Sequence, residues 1–365
     1  MNKNRLISSR FRKKNSKIVE SSFDSIKAKY SIELQENIKR NYILVSDLCF
    51  CGNQDDYLIA EYDRYGILIN SVLCSNCGTV RINPYLNQDS AGHFYTNIYQ
   101  GLYGRSIDKE AYFFRQQKYG YKYYSIASKY LSDKDWVLEI GCGAGGALSV
   151  FQDKGFRVVG VDYDQALLDY GKDKGVSNLY YGSLNELKEN LTFKAKLIYL
   201  NHVFEHLVEP SRMLEDCKDL LDEDGIIIMA MPDLLGIKLN DAYGGDLLNM
   251  IHIAHKYNYS FDGIGYLANA NRYKVKRLFP DPSIKTHTSN AGEMWVLLEN
   301  DQSSLSKTKI PKKQGIKVLN KLILYERKYQ SSVFFKKTNK NLIQIVRKAK
   351  RRISLYISKT YSFFR

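Results

Sequence analysis

Three groups of residues in this chain have types and spacings that could do chemistry. The first is a set of four cysteines in two close pairs, Cys49/Cys51 and Cys74/Cys77. A glycine follows each pair (Gly52, Gly78), and a glycine there lets the backbone turn so that its N–H groups face the sulfurs. Four thiolates close a tetrahedral zinc site and leave no open position, so such a site is structural. The second group is a glycine cluster, Gly141, Gly143, Gly145 and Gly146, placed after the apolar run 136–140, with Asp162 at the end of the next apolar run. Glycines at a strand-to-helix turn let the backbone approach a ligand, and the helix N-terminus adds free N–H donors. An acidic residue about 20 positions later suits the two hydroxyls of a ribose. The pattern fits a nucleoside-containing cofactor. No Lys-Ser/Thr follows the glycines, so a nucleotide phosphate loop is excluded. The G-x-G-x-x-G spacing of a dinucleotide enzyme is satisfied, and spacing alone leaves that reading open. The third group is acid–base: His202, Glu205 and His206, then His252 and His255. Imidazole titrates near neutrality and suits a general base. His252 and His255 are three apart with no cysteine near, so a second metal site is not expected from their spacing.

The elements that must hold these residues follow from periodicity. Residues 133–300 alternate strand-like and helix-like segments, with strand candidates at 136–140, 157–161, 178–181, 196–200, 225–231, 273–279 and 293–299. Such alternation predicts a parallel-type sheet covered by helices on both faces. In the segment 210–221, Pro210 suits a first helical position and Met213, Leu214, Cys217, Leu220 and Leu221 form one apolar stripe. Ligands in such sheets bind at the carboxyl ends of the strands. That directs attention to the residues after Ile140, Val161, Tyr181, Leu200 and Met231.

Residues 41–90 read as a small zinc-ribbon-like module, with two strands around the Arg64-Tyr65-Gly66 turn between the cysteine pairs. Residues 91–132 are dense in aromatics and read as a helical cap over the cofactor site, from which Tyr95, Tyr99 or Tyr103 is expected to reach the substrate. Residues 1–40 read as a polar, loosely packed arm, with a docking helix around Ile26 to Ile38 as the alternative. Charge separates the ends from the body. Residues 305–365 hold 18 Lys or Arg against one acid, Glu326, a net charge of +17; the first 304 residues carry −2 of the total of +15. Within the tail (301–365), Leu342, Val346, Ala349, Ile353 and Tyr356 share one helical face and basic side chains cover the rest. This pattern suits an anionic membrane surface, with a solvated helix packed on the domain or a disordered tail as the alternative. No stretch is apolar enough for a membrane span and no signal sequence is evident, so the expected location is cytoplasmic, peripheral at the inner face of the membrane.

The residues of the glycine turn also carry a resemblance. VLEIGCGAG (137–145) resembles the first motif of the class I S-adenosylmethionine (SAM) methyltransferases, with Glu139 two positions before the first glycine. The segment "EHL…P" (205–210) and the segment His255 to Ser260, similar to H-x-x-x-F-S with Tyr259 at the Phe position, resemble the same enzymes. A cysteine module ahead of such a domain, with "DRYG" at 63–66, resembles methyltransferases of bacterial surface-polysaccharide and deoxysugar pathways over roughly residues 45–300. The resemblance implies a Rossmann-like α/β fold: a mostly parallel seven-stranded sheet with the small zinc module in front and the basic helical tail behind. It implies SAM and a structural Zn2+ held by Cys49, Cys51, Cys74 and Cys77. Gly141, Cys142, Gly143 and Gly145 would line the methionine part of SAM, with Glu139 near its ammonium group. Asp162 would take the ribose, Tyr163 would pack on adenine, and Ser183, Leu184 and Asn201 would complete the cofactor site. His206, His202, Glu205 and His255 are the catalytic candidates. The implied reaction is methyl transfer to a sugar or glycan, either a nucleotide sugar or a lipid-linked saccharide. The competing readings are a tRNA or RNA methyltransferase and a non-catalytic SAM-fold subunit. Nucleic acid is disfavoured because the tail matches no RNA-binding motif.

Overall fold

The structure is a computed structural model and describes residues 6–16, 25–103, 108–189, 191–236, 243–279, 283–284, 292–301, 313–335 and 338. Its N-terminal part begins with helix α1 (Ser25–Arg40) and strand β1 (Leu44–Val45). Strands β2 (Asp56–Ala60), β3 (Ser71–Cys74), β4 (Val80–Ile82) and β5 (Tyr85–Leu86) follow. Helices α2 (Gln88–His93) and α3 (Tyr99–Tyr103) are joined by one π-helical stretch, Phe94–Ile98, and helix α4 (Lys109–Ala127) leads into the main sheet. Asp108 caps α4 by accepting from the N–H groups of Glu110 and Ala111.

The main domain comprises β6 (Trp136–Ile140), α5 (Gly146–Gln152), β7 (Arg157–Asp162), α6 (Gln165–Asp173), β8 (Leu179–Tyr181), α7 (Leu184–Lys188), β9 (Ala195–Asn201), α8 (Pro210–Leu220) and β10 (Leu221–Pro232). It continues through α9 (Leu247–Met250), β11 (Tyr257–Asn258), α10 (Phe261–Ala270), β12 (Tyr273–Leu278) and β13 (Glu293–Asn300). Its seven-stranded sheet has the order β12-β13-β10-β9-β6-β7-β8. The five strands from β10 to β8 are parallel, and β13 pairs antiparallel with both β10 and β12. All seven expected strands are present, and the sheet is Rossmann-like. The order reverses between β6 and β9, so the carboxyl ends of those strands open a crevice for a ligand.

Why the sheet is buried on both faces is legible in its strands. Val137, Leu197 and Ile228 point to one face, with Phe151, Leu168 and Tyr123. Leu138, Ile198 and Met229 point to the other, with Leu214, Cys217 and Leu267. Cys217 is a core residue on the apolar stripe of α8. Helix α4 packs closely on α5 because both present glycine: a Cβ on Gly146 would lie 2.3 Å from the Phe113 carbonyl, and one on Gly120 would lie 2.6 Å from that of Ala147.

The cysteine module does not stand apart. Strand β11, from the main domain, pairs antiparallel with β4 to complete a four-stranded sheet of order β11-β4-β3-β2. This pairing carries the segment His252 to Ser260 across to the module. Between β2 and β3 the chain makes a ten-residue excursion, 61–70, rather than a tight hairpin. Buried Asp63 organises that excursion by accepting N–H bonds from Tyr65, Ile67 and Ile253.

The described residues toward both ends of the chain pack more firmly than their composition suggests. Residues 314–335 are helical, and Val318, Leu319 and Leu322 are buried against Phe11, Ile59, Leu73 and Val80. Arg10 fastens the N-terminal segment to this helix through Glu326 at 2.7 Å and to Asp246 at 2.6 Å. Helix α1 buries Leu34 against Phe94, Ile98 and Leu102. The expectation of a loosely packed arm therefore fails over 6–16 and 25–40, because a few apolar residues in a polar sequence anchor it. The basic face from Leu342 to Tyr356 lies outside the described residues. Among the described residues, no helix is long and apolar enough to cross a membrane.

Candidate functional site

The glycine turn after β6 is held from three directions. Gly141, Gly143 and Gly145 all have positive φ (72°, 53° and 70°), which only glycine adopts without strain. From β7, Asp162 accepts the Gly143 N–H at 2.8 Å and the Asp164 N–H at 2.8 Å. From α4, Gln116 accepts from the N–H groups of Ala144 and Gly146 and donates to the Cys142 carbonyl at 2.7 Å. Burial raises the Asp162 carboxyl, and the loop N–H bonds partly offset that rise.

A cleft of about 460 Å³ opens in front of this turn. Glu139, Gly141, Asp162, Asn201 and His202 line it from the strand ends, and Tyr99, Tyr103, Tyr112, Arg115 and Tyr119 line it from the cap. Glu139 is fully buried and accepts from the Tyr199 hydroxyl at 2.9 Å, and its burial pushes its carboxyl well above the usual range. Six sequence-derived cofactor residues do not line the cleft: Gly143 and Gly145 belong to the turn behind it, and four others face elsewhere. The Cys142 side chain lies in the core beside Gly160, and its carbonyl accepts from Gln116 and the Gly145 N–H. Ser183 forms a reciprocal capping box with Glu186 at the start of α7, and Leu184 is buried in the core. Tyr163 is 68% exposed and meets Tyr181 edge to face at the rim. Asp164 caps α6 through the Leu167 N–H.

The acid–base group assembles beyond β9. His202 sits at φ 54°, an uncommon conformation for a residue with a side chain. Its ring bridges two carboxylates, with Nε2 2.9 Å from Glu293 and Nδ1 3.4 Å from Glu205. Burial alone would lower its pKa, but these two carboxylates outweigh it and raise it to about 10. His202 is therefore an imidazolium at neutral pH and not a base. His206 behaves oppositely. Burial lowers it, and its Nδ1 lies 2.8 Å from the Ala254 carbonyl. A neutral imidazole that donates from Nδ1 presents an Nε2 lone pair, the form a base needs. His255 is held well below its ordinary value, first by burial and then by His206 and Arg64. His206 and His255 meet edge to face at 4.9 Å, and His252 lies 3.7 Å from His255. Tyr99 and Tyr103 stack at 4.8 Å between this cluster and the cleft. The Tyr95 hydroxyl instead donates to Ala254 O at 3.2 Å.

The four cysteines also converge. Cys49 and Cys77 Sγ atoms are 3.5 Å apart, and those of Cys51 and Cys74 are 3.6 Å apart. Tetrahedral Zn–S bonds of about 2.3 Å put sulfurs ~3.8 Å apart, so the donor set fits zinc. Gly52 and Gly78 have φ of 75° and 78°, as the knuckle turns require.

Residues 114–292 match the family model of a methyltransferase domain. This part of the chain is a class I SAM-dependent methyltransferase domain. The chain is 31% identical over 116 residues to the C-methyltransferase NovU of Streptomyces niveus, covering 31% of this chain and 28% of that protein. It is 29% identical over 99 residues to trans-aconitate 2-methyltransferase of Agrobacterium fabrum, covering 27% and 38%. The chain thus spans less than two fifths of each of these relatives. A solved SAM-dependent methyltransferase from Archaeoglobus fulgidus aligns at 15% identity and a TM-score of 0.41, over 57% of this chain and all of that one.

Several residues that shape the site escaped the sequence. Gln116 is one polar residue on an aromatic helix, and only its position over the turn reveals its role. Glu293 lies 91 residues from His202, at the start of the antiparallel strand β13. Arg64 comes from the cysteine module, with Nη1 donating to the Asn249 carbonyl at 3.0 Å.

Proposed function

We propose that the protein transfers a methyl group from SAM to a sugar or glycan acceptor, either a nucleotide sugar or a lipid-linked saccharide. The observation that carries this reading is the adjacency of the two groups: the cleft lined by Asp162, Gly141 and Glu139 reaches His202, and Tyr99, which also lines it, packs edge-on against His206 at 6.2 Å, with His255 beyond. Asp162 would receive the ribose hydroxyls on its remaining lone pairs, and Gly141 and Glu139 would face the methionine end. SAM supplies an electrophilic methyl on a sulfonium.

The protein's own groups would prepare the acceptor. His206 Nε2 takes the proton from the attacking group as the new bond to the methyl carbon forms. The methyl donor would leave as S-adenosylhomocysteine. His202, charged and braced by Glu205 and Glu293, orients and stabilises negative charge developing on the acceptor. His255 packs against His206 and keeps its surroundings dry. Cys49, Cys51, Cys74 and Cys77 would hold a structural Zn2+ that fixes the module and, through β11, the position of His255. The basic tail would bring the protein to anionic membrane or to a phosphate-bearing acceptor at the cytoplasmic face.

Calorimetry with SAM and S-adenosylhomocysteine, followed by a screen of nucleotide sugars and lipid-linked saccharides, tests the reading. Micromolar cofactor binding and methylation of a saccharide are the expected results. Turnover only on non-saccharide acceptors would overturn the substrate assignment, and no cofactor binding by folded protein would overturn the reaction.

A further inference from the structure

Two histidines and a glutamate from two distant segments converge outside the cysteine module. Glu205, His206 and His255 each offer one ligand atom, and these atoms all lie within 4.8 Å of one another. The Nε2 atoms of His206 and His255 are both 4.0 Å from Glu205 Oε1. Glu205 is only 2% exposed, and neither of its oxygens accepts a hydrogen bond; its nearest cationic neighbour is His202 Nδ1 at 3.4 Å, which Glu293 also holds through Nε2. A buried carboxylate is costly unless it is hydrogen-bonded, paired or coordinated. The one imidazolium beside Glu205 is thus shared with Glu293, and Glu205 is only partly compensated.

The imidazoles are presented as ligands are. His206 faces the Ala254 carbonyl through Nδ1 at 2.8 Å, which fixes the tautomer and aims the Nε2 lone pair at Glu205. A carbonyl behind the non-ligating nitrogen is the usual support of a metal-binding histidine. The His206 and His255 rings are nearly perpendicular (84°), so their lone pairs converge instead of stacking. Ligands about 2.0–2.2 Å from one ion lie ~3–4 Å apart, and the observed separations reach that range with a small contraction.

We propose that Glu205, His206 and His255 bind a divalent first-row transition ion, distinct from the ion of the four cysteines. The two-imidazole, one-carboxylate donor set suits zinc, iron(II), manganese or cobalt. Three protein ligands leave a coordination position open. The ring of Tyr99, which lines the cleft, packs 6.2 Å from His206, so an oxygen of a hydroxyl- or keto-bearing acceptor entering from the cleft would take that position. Arg64 contributes opposing positive charge to the same cluster, which makes this site weaker than the thiolate site. The inference rests on ligand geometry and holds whether or not methyl transfer is the reaction; an ion there would occupy the His206 Nε2 lone pair, so it is an alternative to His206 serving as the base.

The test is metal stoichiometry on the full-length protein. The protein is dialysed against Zn2+, Mn2+, Co2+ or anaerobic Fe2+ at micromolar free concentration, and bound metal is counted by mass spectrometry. Two equivalents are expected in the wild type for at least one of these ions, and one in His206→Ala and His255→Ala. Cobalt absorption separates the sites: the thiolate site gives intense charge-transfer bands that the variants retain, and the retained bands also report folding. If a histidine variant loses both ions, the isosteric Glu205→Gln decides, and it should lose one ion and keep the thiolate bands. A single equivalent in the wild type with all four ions overturns the proposal. So does a second equivalent that persists in all three variants.

Discussion

Asp162 accepts the Gly143 N–H at 2.8 Å, so the tip of β7 holds the turn that follows β6. One carboxylate thereby shapes the loop and faces the cleft. Removing it should cost the loop a charge-assisted bond, worth about 1.5–3 kcal/mol, as well as the ribose contact. We expect Asp162→Ala to weaken SAM binding by at least about 10–100-fold, measured by calorimetry, while Asp162→Asn retains more because an amide oxygen can still accept from Gly143. Equal affinity in Asp162→Ala and wild type would remove Asp162 from the cofactor site.

Gly141→Ala should be more damaging than its size suggests. The new methyl would lie 2.4 Å from Val203 Cγ2, on a backbone at φ 72°. Left-handed backbone costs a non-glycine residue roughly 1–2 kcal/mol, and the clash adds to it. The expected result is lost cofactor binding with a melting temperature lowered by several degrees. The double variant with Val203→Ala should recover part of the binding, since it removes the colliding methyl and leaves only the backbone strain.

The strands of the domain were legible in the sequence because their apolar runs are bounded by glycine and polar breaks. The glycine turn, Asp162 and the paired cysteines were legible because their chemistry is local. What was not legible is what depends on return of the chain. His255 reaches His206 only because β11 crosses to pair with β4. Glu293 reaches His202 only because β13 inserts antiparallel beside β10. Ser183 read as a cofactor contact, but a Glu three residues later claims its hydroxyl in a capping box. The N-terminal arm read as loose because its anchors, Phe11 and Arg10, are single residues whose partners lie at the other end of the chain.

The histidines give opposite pH signatures. His206, His252 and His255 are held below 6.5, chiefly by burial. The unfolded chain takes up protons near pH 6.5, and the folded chain does so only at lower pH. Their contribution to stability is therefore complete above about pH 6.5 and is lost as pH falls through the folded values. His202, raised to about 10, contributes below about pH 6.5, and that contribution is lost as pH rises toward 10. Urea midpoints across pH 5–10.5 should fall at both ends, and His202→Gln should flatten the alkaline limb alone. Turnover should follow the same logic, with kcat/KM constant across neutrality because His206 is already unprotonated. An acid limb with an apparent pKa above 7 would count against His206 as the base. His206→Gln should slow the reaction by roughly 10²–10⁴-fold with little change in SAM affinity.

Arg10 joins residues 316 positions apart, and its removal should loosen both ends of the chain together. Its guanidinium bonds Glu326, which is 1% exposed, and Asp246 at the start of α9. Burial works against the charged guanidinium, but the two carboxylates outweigh it and raise its pKa. Taking away one partner of a buried pair leaves an uncompensated charge, a loss of 3–5 kcal/mol when burial is complete. Arg10 is about a quarter exposed, and Ser8 and Gln330 still donate to Glu326, so about 1–3 kcal/mol is the expected cost of Arg10→Ala. Glu326→Gln in the same chain should restore part of it, because the stranded charge is then gone. A double-mutant cycle read by chemical denaturation measures the coupling, and strictly additive effects would show that the two ends are held by apolar packing of Phe11 and Leu319 and not by the ion pair.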